Sequence, residues 1–459
     1  MRAVRVPTRL DTTRSRRPLI VACSLMSVSP LILVLLLASS CGGGGGASSN
    51  SSRSAGGTQG SPTATPSVPG VSDIEIKVGM TSDLAGMGGT PYGFVTKALQ
   101  SYFAKVDRED GGVCGRSLTL VPQDDQYSPD VALRATKLLV DSGLVLAMIG
   151  GIGTEVHQPV ADYLNDPNGD GNKDDGVPDL YLSTGYSGWN DAGRYPWSIV
   201  YIPDYAGDAK ALIQYVNGRF PGKRVGLLYE NSLFGQDYLH AVEASVKDRS
   251  LLVAELPYET SAPDLNSQVQ SLKDSGAEIL FLAATPPFAA KAIAYAHSQG
   301  YRPQFVQSYV DSHTAVAIQI GGGSNADQLA KGFQELSGTI SSSYLLSAVQ
   351  DAEEPTIIEH ERIMETYAGP PVSTLTVYAQ SLGELVVETV KRACDNLTRR
   401  GILDAANSIR GFRSDLLLPG IEINLSNTDH LAIQAMQPVE IQSDGTLKKL
   451  GDPISTENR

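Results

Sequence analysis

Two successive series of short β-type runs, each interleaved with amphipathic stretches, limit what this chain can fold into. In the first series "IEIKVGM" (74–80), "LTLVPQ" (118–123), "LVLAMIG" (144–150) and "LYLS" (180–183) alternate with helical patterns near 92–108, 129–142 and 155–164. The second series repeats this with "RVGLLYE" (224–230), "LLVAELPY" (251–258), "EILFLAA" (278–284) and "QFVQSY" (304–309). Strands alternating with helices of about 10 to 15 residues form βαβ units and hence parallel sheets. An α/β chain of two doubly wound lobes is therefore expected.

In open α/β sheets, ligands bind beyond the carboxyl ends of the strands. The loops that follow these strands are the candidate functional segments: "TSDLAGMGGTPYG" (81–93), "GGIGTEVHQP" (150–159) and "STGYSGWND" (183–191). Thr154 stands at a helix start, where a hydroxyl beside free N–H groups suits a carboxylate. Capping of its own helix is the plainer role for Thr154, and the convergence of three such loops on one lobe favours a pocket.

Upstream lie six arginines and one aspartate in residues 1–17, then an almost wholly apolar or small run to Ser40, then Cys41 and five glycines. A basic region before an apolar one, ending on small residues, reads as an export signal. A permanent membrane helix is the alternative, since about 20 apolar residues can span a bilayer. The segment resembles a bacterial lipoprotein signal, which implies that Cys41 becomes the lipid-bearing first residue; it departs from the usual pattern in placing Ala38 three residues before the cysteine and Leu37 four. Residues 41–72 are mainly Gly, Ser, Thr, Ala and Pro and read as a flexible linker.

The formal charge of the whole chain is −14, and residues 1–40 contribute +5, so the exported part carries −19. Such a surface repels nucleic acid. Cys23 falls in the signal and Cys41 at the lipid position, so Cys114 and Cys394 are the one pair left in the folded part. Export makes a disulfide possible.

The run "DDQYSPDVALRATKLLVDSGLVLAMIGGIGTEVHQPVADYL" (124–164), with "VPDLYLSTGYSGWND" (177–191) and "YPWSIVYIPDYAGDAKALIQYV" (195–216), resembles the Leu/Ile/Val-binding type of periplasmic binding protein. "GKRVGLLYENSLFGQDYL" (222–239) and "SLKDSGAEILFLAATPPFAAKAIAYAHSQGYRPQFV" (271–306) continue the likeness through the second lobe. The resemblance covers nearly all of residues 74–455. It implies two lobes joined by three crossovers that close on a small solute. The first lobe is then 73–202 plus 345–422 and the second 205–340 plus 426–459, with crossings near Tyr201 to Asp204, Ser341 to Leu345 and Gly420 to Ser426.

Carried onto this sequence, the resemblance implies an α-carboxylate site at Thr154, Gly185, Tyr186 and Ser187, a closing aromatic at Phe234 and a pocket position at Thr285. Its acidic partner for a ligand amine falls on Tyr309, with Asp311 two residues on. It also implies an amino acid or related carboxylate or amide as solute, ABC permease subunits as partners, a monomer, no required cofactor and no catalysis. Cys114 and Cys394 both fall in the first lobe by the same likeness, which implies that they pair; two buried free thiols are the alternative.

The insertion "DPNGDGNKDDGVPD" (166–179) sets Asp166, Asn168 and Asp170 at every second position before Gly171, with Asn172, Asp174 and Asp175 as further oxygen donors. It resembles the calcium loops of dockerin and thrombospondin type 3 repeats, implying a weak structural Ca2+ site, although Val177 stands where an EF-hand places its Glu. A solvated acidic loop is the alternative. Enzyme readings are weaker. "HERIM" (360–364) lacks a zinc protease's second histidine, and "GYSGW" (185–189) lacks the last glycine of a nucleophile elbow. A secreted hydrolase and a receptor's ligand-sensing domain are the rival classes.

Overall fold

The computed structural model describes residues 68–85 and 92–456. The expected export signal, Cys41, most of the linker and residues 86–91 of the first loop lie outside these residues.

Strands β1 (Glu75–Ser82), β2 (Ser117–Asp124), β3 (Ala147–Ile149), β4 (Asp179–Leu182) and β5 (Ser198–Val200) form a parallel sheet in the order β2-β1-β3-β4-β5. Helices α1 (Gly93–Glu109), α2 (Pro129–Asp141) and α3 (Thr154–Asn165) make its crossovers. In β1, Ile76, Val78 and Met80 are buried on one face and Gly79 and Thr81 on the other, as a strand covered on both faces requires.

The second sheet repeats this order. Strands β6 (Val225–Glu230), β7 (Leu252–Tyr258), β8 (Ile279–Ala283), β9 (Gln304–Gln307) and β10 (Ile340–Ser343) run as β7-β6-β8-β9-β10, all parallel. Around them lie α4 (Tyr205–Arg219), α5 (Leu233–Ser245), α6 (Asn266–Asp274), α7 (Pro286–Ser298), α8 (His313–Gly321) and α9 (Ala326–Leu336). Then β11 (Ala435–Ile441) and β12 (Leu447–Lys449) add on antiparallel beyond β10, and β13 (Ile454–Ser455) pairs with β11. In each sheet the order reverses beside the first strand of the series, at β1/β3 and β6/β8, which is where open α/β sheets bind ligands.

Between β10 and β11 the chain returns to the first lobe as α10 (Pro355–Thr366), α11 (Thr374–Arg392) and α12 (Arg399–Asn407). In α11, Leu382, Leu385, Val386, Thr389 and Val390 recur at three- and four-residue spacing and are buried, the stripe a core-facing helix needs. Its apolar members pack with Ile76 and Val78 of β1 and Leu99 and Phe103 of α1. Each fully buried Leu or Val contributes about 1.5 to 3 kcal/mol.

The first two passages between lobes fall at residues 201–204 and after Ser343. The third differs from the expectation of 420–426. The Ala432 N–H donates to the Val200 carbonyl at 2.9 Å and the Ile433 N–H to that of Tyr201 at 3.2 Å, so the chain stays beside edge strand β5 through Ile433. The second lobe's final part thus begins near β11 and not at 426. Cys114 and Cys394 are disulfide-bonded with Cα atoms 5.4 Å apart. Cys394 lies just past the end of α11.

Candidate functional site

A cavity of about 390 Å³ lies where the carboxyl ends of the two sheets face each other. The first lobe supplies the start of α3, with Tyr92, Tyr127 and Tyr378; the second supplies the loops after β6, β8 and β9; residues 341–347 form the floor between them.

Thr154 lines the cavity as the first residue of α3, and its hydroxyl does not cap that helix. The N-cap is Gly153 at φ 93°, where a Cβ would meet the Tyr127 ring at 2.9 Å. The Thr154 hydroxyl instead shares hydrogen bonds with Thr184 Oγ1 (2.7 Å) and the Tyr205 hydroxyl (3.2 Å). This buried triangle joins α3, the loop after β4 and the start of α4.

Gly185, Tyr186 and Ser187 do not line the cavity in this structure. Gly185 is packed beneath it, where a Cβ would lie 2.4 Å from the Pro203 carbonyl oxygen and 2.7 Å from the Tyr309 hydroxyl. Tyr186 stacks edge-on against Trp189, ring centroids 5.4 Å apart. The Ser187 N–H and hydroxyl both donate to the Asp237 carboxylate of α5, at 2.8 and 2.7 Å, and so bridge the lobes. A second bridge runs from the Leu233 N–H at the start of α5 to the Glu155 carboxylate of α3. Burial pushes the Asp237 carboxyl above its ordinary range, against the two Ser187 hydrogen bonds.

Phe234, Thr285 and Tyr309 line the second-lobe wall. Phe234 meets Tyr205 edge-on at 5.0 Å. Thr285 precedes α7, and its N–H donates to the Tyr258 hydroxyl at 3.2 Å. The Tyr309 hydroxyl donates to the Pro203 carbonyl at 2.5 Å. Asp311, expected as a partner for an amine, is 0% exposed and outside the cavity wall. One of its carboxyl oxygens accepts from the Ser308 hydroxyl at 3.4 Å and the other has no partner. Burial pushes its carboxyl well above the ordinary range, which favours the neutral acid.

The wall also contains residues that the sequence did not single out, notably Tyr92, Tyr127, Tyr205, Tyr378, Glu230 and His313. Gln126 and Tyr127 both sit at positive φ, 54° and 53°, in the turn that carries the Tyr127 ring to the cavity. Glu230 accepts from the Ser232 hydroxyl at 2.9 Å and the Tyr258 hydroxyl at 3.1 Å.

The 166–179 insertion folds on its own side chains. Asp166 accepts from the Gly171 N–H, Asn168 from Asp170, Asp170 from Asn172 and Asn172 from Asp174, while the Asn168 amide donates to Asp170 and Asp175. Among the described residues no group of three or more His, Cys, Asp or Glu is placed to hold a metal ion.

A family model for periplasmic binding proteins matches residues 75–446. A Leu/Ile/Val-binding protein homolog 2 of Brucella abortus is 23% identical over 242 residues, 52% of this chain and 61% of that protein. The chain thus spans about three fifths of the length of that curated relative. Two solved structures share the fold. A fatty acid ABC transporter substrate-binding protein from Thermomonospora curvata has a TM-score of 0.70 at 22% identity, covering 87% of this chain and 97% of its own. A branched chain amino acid ABC transporter structure from Thermus thermophilus with bound valine has a TM-score of 0.69 at 16% identity, covering 83% and 96%.

Proposed function

This chain belongs to the periplasmic binding protein family, and on that premise we propose that it captures one small polar solute between its lobes and delivers it to the membrane subunits of an ABC importer. The observation that carries the reading is the cavity itself, built from both lobes at the carboxyl ends of two doubly wound sheets. The solute's polar end rests beside Thr154 at the start of α3, and Phe234 closes over its body. Ser187 serves the closed state through Asp237, outside the cavity wall. The chain performs no catalytic step of its own and acts as a monomer.

Amino acids and related amides are the first solutes to test, since the relatives' names include amino acid binding. The fatty acid named for the Thermomonospora protein makes apolar acids the next class. Export and a lipid on Cys41, with 41–72 as a tether, keep the receptor beside the permease it feeds.

A thermal-shift screen of amino acids, short amides, aromatic acids and urea-like solutes tests the reading. Binding to the folded state alone raises stability by about 2.7 kcal/mol at a hundredfold excess over Kd. Silence across every class, together with turnover of activated esters, would replace the binder with a hydrolase.

A further inference from the structure

We infer that the solute is an organic cation, an amine or quaternary ammonium with an apolar body, set between the tyrosines and carboxylates of the interlobe cavity. This rests on the solute-binding reading above and names the class of ligand.

The charge of the wall is one-sided. Glu155, Glu230 and Glu259 line the cavity, and no Lys or Arg does so among the described residues. Residues 86–91, outside the described part, read GMGGTP and contain no basic residue. None of the three glutamates forms an ion pair among the described residues. Their partners are the Leu233 N–H for Glu155, the Ser232 and Tyr258 hydroxyls for Glu230, and the Asn231 amide for Glu259. Glu230 is only 5% exposed. Burial raises its carboxyl, and the fields of Glu155 and Glu259 add to this against the two hydroxyl hydrogen bonds.

Of the three only Glu230 is buried, Glu155 being half-buried and Glu259 exposed, and a buried charge is unfavourable unless it is paired. Closing the lobes on an acid would add another negative group to an uncompensated set, whereas a cation brings the missing counter-charge. The backbone offers an anion little help. Helix α3 carries Glu155 in its first turn, and α7 starts on Pro286 and Pro287, which have no N–H to donate. Helix α8 begins at His313, which is 8% exposed, lines the cavity and has an unpartnered Nε2. Burial holds that imidazole neutral, with its pKa down at about 4, so it adds an open polar position to the wall and no positive charge.

The rings complete the argument. Tyr92 and Tyr127 lie 5.9 Å apart, Tyr205 and Tyr309 6.3 Å, and Tyr309 and Tyr344 5.7 Å, all at the wall. Cations are attracted to the faces of such rings within about 6 Å of the centroid. A cavity of about 390 Å³ holds an apolar body beside the charged nitrogen.

Two matched probe series separate the possibilities on the full chain by calorimetry. One is phenethylamine, L-phenylalanine and 3-phenylpropionate; the other is isopentylamine, L-leucine and 4-methylpentanoate. Within each, the members differ only in which charged groups they carry. The amine is expected to bind at least tenfold more tightly than the amino acid, with no binding by the acid. Glu230→Gln, and Glu155→Gln on the opposite lobe as a second variant, should each reduce the amine's advantage at least fivefold. Tightest binding by the amino acid or the acid would overturn the inference and leave the solute-binding reading standing. Silence from all six probes and from the wider amino-acid screen would remove both.

Discussion

The two contacts from Ser187 to Asp237 give the sharpest handle on how the lobes close. Replacing Asp237 with Ala removes both hydrogen bonds, of 2.8 and 2.7 Å, that tie the loop after β4 to α5. Hydrogen bonds to a charged group contribute about 1.5 to 3 kcal/mol each. Asp237 and Ser187 are only part-buried, so the lower value applies and the pair contributes about 3 kcal/mol. Because the contact runs between lobes, the loss falls on the closed arrangement and not on either core. At about 1.4 kcal/mol per factor of ten, the closed-to-open ratio drops roughly a hundredfold. Ser187→Ala, which keeps the backbone contact, should shift it about tenfold by the same scaling. Small-angle X-ray scattering of the solute-free chain reads this directly: Asp237→Ala should have a larger radius of gyration than the parent, and Ser187→Ala an intermediate one, with near-parental urea midpoints. Identical scattering from all three would refute the clasp, and a collapse in urea stability would show that Asp237 holds the fold.

Three further outcomes follow from other parts of the molecule. The Cys114–Cys394 bond closes a sequence separation of 280 residues, so the double Ser variant should lose about 2 to 5 kcal/mol in urea unfolding; an unchanged midpoint would contradict this. Asp208, which accepts from the Tyr238 hydroxyl at 2.7 Å and from Ser342, has its carboxyl pushed up to about 6 by burial. Its raised pKa means that the folded state keeps a proton the unfolded chain has given up. That stability is present below the unfolded value and is lost as pH rises through about 6. Relative to Asp208→Asn, the parent should therefore lose on the order of 1 kcal/mol between pH 5 and 7.5, and a difference independent of pH would refute it. Calcium titrated at millimolar concentration tests the 166–179 loop, in which Asp166 Oδ1 is buried without a partner while Asn168, Asp170 and Asn172 accept from their own loop: a heat abolished by the Asp166→Ala, Asp170→Ala double variant would mark a weak structural site, and equal, flat traces from both would leave a solvated acidic loop.

Much of the architecture was readable because buried parallel strands advertise themselves as apolar runs such as "EILFLAA". The strands that escaped notice lack that signal. β10 reads ISSS, β5 has three residues, and β11 reads AMQPVEI, in which Gln437, Pro438 and Glu440 break the apolar run. The late third crossing was hidden for a related reason: residues 431–433 associate with β5 by backbone hydrogen bonds, which carry no side-chain signature. Thr154, Phe234, Thr285 and Tyr309 reach the cavity wall because they follow strand ends, a position that sequence reveals. The tyrosines were invisible as a group, since Tyr92, Tyr205 and Tyr378 begin or sit within separate helices and meet only after both lobes have folded. Asp311 shows the converse: its sequence position suggested a ligand contact, and burial beside Ser308 turns it inward.

The central claim is that one solute binds per chain, inside the interlobe cavity. Calorimetric titration of the best solute from the screen, into the parent chain and into Phe234→Ala and Thr154→Val, tests it most directly. The account predicts a stoichiometry of one, with affinity reduced at least tenfold in each variant; Phe234 is buried in the second lobe's core, so its alanine variant also loses about 3 to 5 kcal/mol and both variants are titrated well below their own urea midpoints. Unchanged affinity in both variants would place the binding site elsewhere and contradict the account.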